Sequence, residues 1–513
     1  MFSWIIENSI KNRYLVTFFA IAVICYGLAS SLNLPIDVFP DFAPTQVIIK
    51  TEAPGYAPEE VESLITIQLE TNLSGIAGLE DMRSLSSTGL SVLTLIFDDT
   101  VDIFKARQLV SEKLQLVRSE LPQDIDQPLM APMTTATGDI IKIGLIAKET
   151  SLMDVRTLAD WTIARKLLSI NGVSNIVVHG GDPKQYQVLI DPNKLKDYSI
   201  SLDEFNQAIS ESNTNATGGF LRDSDKEYLI RGLGRIESIQ DLENTVIKTK
   251  EGIPVLVKNL AEVKIGSEQK IGEALINGKR GILINVSKQP WANTRTLTDD
   301  IEEALENLKS AFPSDLETVT VFRQADFIDL AIHNMLEALI LGSILVIIIL
   351  YFFLQNWRTA FISLTAIPLS ILIAIIVLKW QGGTINTMTL GGLAIAIGEV
   401  VDDAIIDVEN VFRRLKENKL LASPRPVFDV IVKASKEIRA SVIYATFIIA
   451  LVFLPILSLT GLEGKIFSPL AHSFIIAILA SLAVALTVTP ALCYLLLNKT
   501  ESFNEKESTL IAW

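Results

Sequence analysis

The sequence predicts a membrane α-helical bundle of six transmembrane helices joined to one large α+β extramembrane region. Three observations carry this. The 513 residues are 49% hydrophobic and only 20% charged, and mean hydropathy is positive at +0.38. Six stretches contain no Asp, Glu, Lys or Arg: Tyr14 to Ile36, Ala338 to Trp357, Thr359 to Leu378, Trp380 to Gly398, Ala440 to Leu462 and Ile466 to Asn498. Each is about 20 uncharged residues or longer, enough to cross a bilayer as a helix. Between the first and second of them, about 300 residues alternate strand and helix patterns.

The first stretch is too long and lacks the small-residue cleavage site of a signal peptide, so it reads as a retained anchor. The last contains Pro469 and Pro490, which places its membrane portion near Ala471 to Leu496 with a bend at the proline. Lys11 and Arg13 precede the first stretch, Arg358 lies between the second and third, and eight basic residues from Arg413 to Arg439 lie between the fourth and fifth. The opposite loops offer little beyond Lys379 and Lys465. The positive-inside rule therefore predicts cytoplasmic termini, with Asp37 to Asn334 across the membrane, in the periplasm of a Gram-negative cell.

Within that region Thr45 to Thr51 alternates as a strand, and Ala57 to Ser74 is amphipathic, opened by Pro58, Glu59 and Glu60. Strands at Glu80 to Ser86 and Leu90 to Phe97 flank Thr88-Gly89, and a helix follows with Ile103, Ala106, Val110, Leu114, Val117 and Leu121 on one face. This β-α-β-β-α order is ferredoxin-like. A second such unit starts at Asp139 to Ala147, is interrupted from about Pro183 to Gly266, and resumes with Gly281 to Val286, a helix Thr294 to Phe312 and Leu316 to Phe322. A single α+β domain without repetition is the alternative.

Composition excludes several functions. With 44 basic against 59 acidic residues there is no basic excess for nucleic acid. Cys25 and Cys493 sit inside apolar runs and form no disulfide framework or CxxC motif, so no cofactor is expected.

The fourth apolar stretch ends in five carboxylates: Glu399, Asp402, Asp403, Asp407 and Glu409. At about 100° per residue from Glu399, Asp403 lies near 40°, Asp407 near 80°, Asp402 near 300° and Glu409 near 280°, all within about 160° of arc. Acids at bilayer depth are costly, so this face should meet a protein interior or a water path and exchange protons. Asp407 and Glu409 have a plainer alternative, a cytoplasmic helix end meeting headgroups; Asp402 and Asp403 do not.

Gly398, Val401, Asp402, Asp403, Ala404, Val408, Glu409 and Asn410 match a G-x-x-V-D-D-A-x-x-x-V-E-N pattern and resemble the fourth helix of the resistance-nodulation-division transporters. Leu34-Pro35-Ile36-Asp37, Ala53-Pro54-Gly55-Tyr56, Arg83-Ser84-Leu85-Ser86, Gly89-Leu90-Ser91, Ala106-Arg107-Gln108-Leu109 and Lys184-Gln185-Tyr186 resemble its heavy-metal efflux branch. The resemblance implies a proton-driven efflux permease of the inner membrane and not an enzyme, working as a homotrimer with a periplasmic adaptor and an outer-membrane channel. It implies a proton relay of Asp402, Asp403 and Glu409; Glu399 and Asp407, which the helical arithmetic alone puts on the same arc, are candidate secondary members. It divides the chain into an N-terminal segment and first helix (1–36), porter subdomain 1 (37–134), porter subdomain 2 in two parts (135–182 and 267–326), a docking subdomain (183–266), helices two to six (327–498) and the start of a cytoplasmic connecting helix (499–513).

Members of the family have about twelve helices in two similar halves, so this chain corresponds to the N-terminal half and implies a C-terminal half on the same or another polypeptide. The metal branch often has Gly or Ala where Asp403 stands, whereas the Asp-Asp pair is typical of drug exporters; some zinc-type members carry an acid where Ala396 stands. The exported species is left between heavy-metal cations and amphiphilic compounds. Copper and silver members use methionine relays, for which Met388 is the one weak candidate, with core packing the alternative. His179, His333 and His472 are far apart and read as structural. Asp37 and Asp41 line either a cation entrance or a solvated loop. Two other readings stand: a six-helix protein-export accessory subunit of the same superfamily, and an inactive fragment.

Overall fold

The computed structural model describes residues 2–497 apart from 32–35, 41, 136, 224–225, 233, 251, 271, 355–356 and 422. Helix α1 (Phe2–Lys11) leads into α2 (Arg13–Ser31), the first apolar helix. The extramembrane chain begins with β1 (Thr45–Glu52), whose inward residues Val47 and Ile49 are fully buried. Helix α3 (58–73, with one π-turn at Glu62–Thr66) starts at Pro58, and the Glu60 carboxylate accepts the Ala57 N–H. Its buried face is Val61, Ile65, Leu69 and Leu73, four residues apart each time. Strands β2 (Leu79–Ser87) and β3 (Leu90–Phe97) form a hairpin, helix α4 (Ile103–Val117) is capped by Asp102, and β4 (Leu129–Met130) closes the unit. The sheet order is β2-β3-β1-β4, all antiparallel, with Thr45 opposite Phe97 and Glu52 opposite Leu90. Both helices cover one face and share a core with Leu93, Leu95, Phe97, Ala106 and Val110.

The next strand, β5 (Asp139–Ala147), is followed by helix α5 (152–168, capped by Ser151) and β6 (Val173–His179). The chain then leaves the sheet through β7 (Lys184–Ile190), α6 (Pro192–Tyr198), α7 (Leu202–Ser212), the hairpin β8 (Ala216–Asp223) and β9 (Lys226–Gly232), α8 (Ile239–Glu243), β10 (Val246–Lys250), β11 (Ile253–Leu256), α9 (Val257–Leu260) and β12 (Ala261–Ser267). Strand β12 pairs with β7 from Lys184–Ser267 to Ile190–Ala261, which closes the excursion at its neck. Its own small core holds Leu195, Phe205, Val257 and Leu260. After β13 (Ala274–Ile276) the chain rejoins the sheet as β14 (Lys279–Lys288), then α10 (Thr294–Leu308) and β15 (Leu316–Arg323). The order β6-β14-β5-β15 repeats that of the first sheet, second-third-first-fourth.

The helical region comprises α11 (Gln324–Leu354), α12 (Trp357–Trp380), α13 (Thr387–Lys419), α14 (Val427–Leu457) and α15 (Gly461–Leu497). Among the described residues α2, α12, α14 and α15 are long and apolar enough to cross a membrane. Helix α11 holds the second charge-free run as far as Leu354, and α13 carries the acids.

Three boundaries differ from the sequence reading. The fourth stretch is not one helix from Trp380: that residue ends α12, and α13 starts at Thr387, because Gly382 turns the chain at φ 74° and Asn386 caps the Thr389 N–H at 2.9 Å. Helix α14 starts well before Ala440, since Ile431, Val432, Ala434 and Ser435 bury a helical stripe. Helix α15 runs unbroken through Pro469 and Pro490 from Gly461. Residues 499–513, read as the connecting helix, lie outside the described residues.

Candidate functional site

Helix α13 crosses close against α15: a Cβ at Gly392 would meet Ser473 Oγ and the Leu470 carbonyl. This approach leaves no room for a side chain and fixes which arc of α13 faces the bundle. Asp403 and Asp407 lie on the inward arc at 8% and 3% exposure, Glu399 is half-buried, and Asp402 and Glu409 are exposed.

Asp407 does not cap a helix end, because α13 continues to Lys419. Its Oδ2 accepts from Arg439 Nη2 of α14 at 2.7 Å, both side chains at 5% exposure or less. The same Nη2 donates to the Ala485 carbonyl of α15 at 2.9 Å. Arg439 Nε and Nη1, Asp403 Oδ2, Ser435 Oγ and Thr489 Oγ1 are buried without a hydrogen-bond partner among the described residues. One turn further, Asn410 Nδ2 donates to the Ala434 carbonyl at 2.9 Å and Arg413 donates to Asn410 Oδ1 at 2.8 Å. A buried ion pair gains Coulomb energy that desolvation largely offsets, so its presence at this depth calls for more than a stability argument.

Arg439 is the residue that sequence reasoning missed, since a charge count places it only among the basic residues that orient the bundle. The available signal was helical spacing: Ser435 and Arg439 fall on the same buried stripe of α14.

At the other end of α13 the chain is tied to the second sheet. Asp37 accepts from Lys288 Nζ at 3.0 Å and from Thr294 Oγ1 at 2.7 Å. The Asp37 N–H donates to the Ile385 carbonyl, and Thr387 donates through N–H and Oγ1 to the Val38 carbonyl at 3.1 and 2.7 Å. Asp37, read as lining either a cation entrance or a solvated loop, has its carboxylate held by the buried Lys288 ammonium. Asp41 lies outside the described residues. Beside this junction an open cleft of about 810 Å³ is lined by Asn386, Thr389, Ser468 and His472, with Lys465 paired to Asp99 at 2.6 Å.

Met388 is half-buried in the first turn of α13. His472 Nδ1 lies 3.1 Å from Ser468 Oγ, and His179 and His333 are exposed. Among the described residues no group of three or more His, Cys, Asp or Glu side chains is placed to hold a metal ion.

The AcrB/AcrD/AcrF family profile matches residues 5–513. The chain is 35% identical to protein HelA of Legionella pneumophila, matching all of this chain and 49% of HelA. It is 34% identical to the cobalt-zinc-cadmium resistance protein CzcA of Cupriavidus metallidurans, over all of this chain and 49% of CzcA. It is 36% identical to the cation efflux system protein CusA of Escherichia coli, over 96% of this chain and 48% of CusA. The crystal structure of a heavy metal efflux pump superposes with TM-score 0.84 at 28% identity, covering 99% of this chain and 50% of that one. The chain thus spans about half the length of the curated relatives it matches. With a profile match over nearly every residue and a long helix bearing the matched acids, the chain belongs to the AcrB/AcrD/AcrF family of resistance-nodulation-division efflux transporters, among its heavy-metal efflux relatives.

Proposed function

We propose that the chain is the N-terminal half of a proton-driven permease that exports heavy-metal cations across the inner membrane, with both termini cytoplasmic and residues 37–326 in the periplasm. The observation that carries the relay is Asp403, a buried carboxylate in an apolar bundle, one of whose oxygens has no hydrogen-bond partner among the described residues. Such a group is poorly tolerated as a bare anion and is suited to bind and release a proton. Asp402 and Glu409 on the outward arc and half-buried Glu399 complete the relay toward the C-terminal half. The metal-resistance names of CzcA and CusA favour cations over amphiphiles, and efflux over a protein-export accessory role.

The two repeated sheets serve as porter subdomains, split at 37–134 and at 135–182 with 267–326. The excursion 183–266 serves as the docking subdomain, and 327–498 with the first helix gives six spans. Hairpin β8–β9 exposes Phe220, Leu221, Tyr228, Leu229 and Ile230, an apolar patch that supports a homotrimer; a periplasmic adaptor and outer-membrane channel would complete the path.

The test is resistance of a metal-sensitive host expressing the complete transporter, assayed with Zn²⁺, Co²⁺, Cd²⁺ and Ag⁺ alongside amphiphilic dyes. Protection against cations and not dyes is expected, with loss in Asp402→Asn and Asp403→Asn at unchanged expression. Full activity of both variants overturns the relay, and protection against dyes alone overturns the cargo.

A further inference from the structure

We infer that Arg439 is the built-in counter-charge of the relay: it neutralises one of the two buried carboxylates of α13, so that Asp403 and Asp407 together hold a single exchangeable proton, with Asp407 as the positioning residue that keeps the guanidinium off Asp403. This rests on the relay reading above and adds to it a residue and a proton count. Asp407 occupies an unspecified position of the matched helix pattern, so the resemblance assigns it no necessary part.

Charge balance among buried side chains sets the proton count. Asp403 and Asp407 are four residues apart on one face of α13, about 6 Å along the axis. Arg439 keeps its charge at any working pH. Two carboxylates and one guanidinium at this burial carry one net negative charge, which a membrane interior disfavours; one bound proton makes the cluster neutral. The hydrogen bonds say where that proton resides. Asp407 has the guanidinium, while Asp403 Oδ2 has no hydrogen-bond partner among the described residues. Asp403 is therefore the site that gains a proton, and Asp407 stays ionised.

The unused donors give the cluster a second arrangement. Arg439 Nε and Nη1 are buried and have no hydrogen-bond partner among the described residues. When Asp403 loses its proton, these donors are the cationic partner within reach on the same three-helix contact. Among the described residues few other groups act on the site. Glu399 and Asp402 of α13 lie within electrostatic reach of Asp403, and Cys493 of α15 within reach of Asp407. The buried polar groups of α12 are the hydroxyls of Thr359, Ser363 and Ser370, and α11 from Ala338 to Leu354 has no charged residue.

A counter-intuitive outcome follows. In Asp407→Asn the guanidinium loses its carboxylate and turns to Asp403, holding it ionised, so removing Asp407 silences a proton site that is itself intact. Infrared difference spectroscopy of the purified protein in lipid vesicles, titrated with H⁺ alone, reads protonated buried carboxyls by their C=O stretch. The wild type should show a band that Asp403→Asn removes. Asp407→Asn should also lose it, Asp407→Asn with Arg439→Gln should regain it, Arg439→Gln alone should show a second band, and Arg439→Lys should keep the wild-type count. A band unchanged in Asp407→Asn, or absent from the double variant when that variant is folded, overturns the assignment of Arg439. If Asp403→Asn removes no band from the wild type, the relay reading itself fails, a distinct result.

Discussion

The tie between α13 and the second sheet permits a quantitative prediction. Lys288 is 2% exposed, and its ammonium lies 3.0 Å from Asp37, whose side chain retains 20% exposure. At an effective dielectric of about 20 the attraction is about 5–6 kcal/mol before desolvation. Breaking a buried pair by removing one partner costs about 3–5 kcal/mol, but Asp37 can rehydrate in part and keeps Thr294 as a donor. Lys288→Met should therefore cost about 2–3 kcal/mol, nearer the cost of an unsatisfied polar group. At about 2–4 °C per kcal/mol for a domain of comparable size, the extramembrane unfolding midpoint should fall by about 5–10 °C. Asp37→Asn should be worse, since it leaves a buried ammonium with only the Ala292 carbonyl at 3.1 Å. The double variant Lys288→Met with Asp37→Asn should recover most of the loss, because the introduced amide oxygen would still accept from Thr294 and no charge is left buried. Thermal unfolding in detergent followed by tryptophan fluorescence reads this directly; Trp291 sits three residues away against Phe104. A shift below about 1 °C in Lys288→Met, or a double variant no better than the worse single, would refute the reasoning.

Three further outcomes are expected. The Asp315 carboxylate accepts the N–H groups of Glu149 and Thr150 at 2.7 and 2.8 Å and the Thr150 hydroxyl at 2.7 Å, which holds it well below the usual carboxylate range. A depressed folded value means a contribution complete above the unfolded pKa and lost as pH falls toward the folded one, so the wild-type melting temperature should drop more steeply than that of Asp315→Asn below about pH 5; parallel curves would count against it. Gly392→Val drives a side chain into Ser473 and the Leu470 backbone, an overpacking cost of about 1–3 kcal/mol, and should cut the monodisperse yield on size exclusion, whereas a wild-type yield would show that the helices separate freely. Replacing Phe220, Leu221, Leu229 and Ile230 of the hairpin by serine should leave the fold intact and lower the mass by light scattering from that of the proposed homotrimer; an unchanged mass would remove the hairpin from the interface.

How far the sequence could be read depended on the range of the interaction that decides each feature. Strand β3 was legible to the residue, Leu90 to Phe97, and α3 within a residue at either end, because period-two and period-four burial are written locally. The β7–β12 neck joins Lys184 to Ser267, and β14 lies between β5 and β6 across more than a hundred residues. Such pairings are set by which apolar faces find each other, and periodicity marks each face without naming its partner. Helix ends in the membrane region were the least legible. The start of α14 is governed by a buried stripe that contains Arg439, and a charge count treats that arginine as solvent-exposed.

The acids of α13 show the same division. The helical arithmetic put Asp403 and Asp407 on one side of Glu399, and Asp402 and Glu409 on the other. The structure buries the first pair and exposes the second. Which arc would face protein was not in the spacing. It is decided at Gly392, where α15 comes too close for any side chain, and by Arg439, whose guanidinium links Asp407 to the Ala485 carbonyl of the same helix α15. A carboxylate arc of about 160° reads as one functional face when the helix is taken alone. Packed against α14 and α15, it becomes two faces with different chemistry: an inner one whose charge is balanced within this chain, and an outer one, bearing Asp402 and Glu409, whose balance must come from whatever covers it.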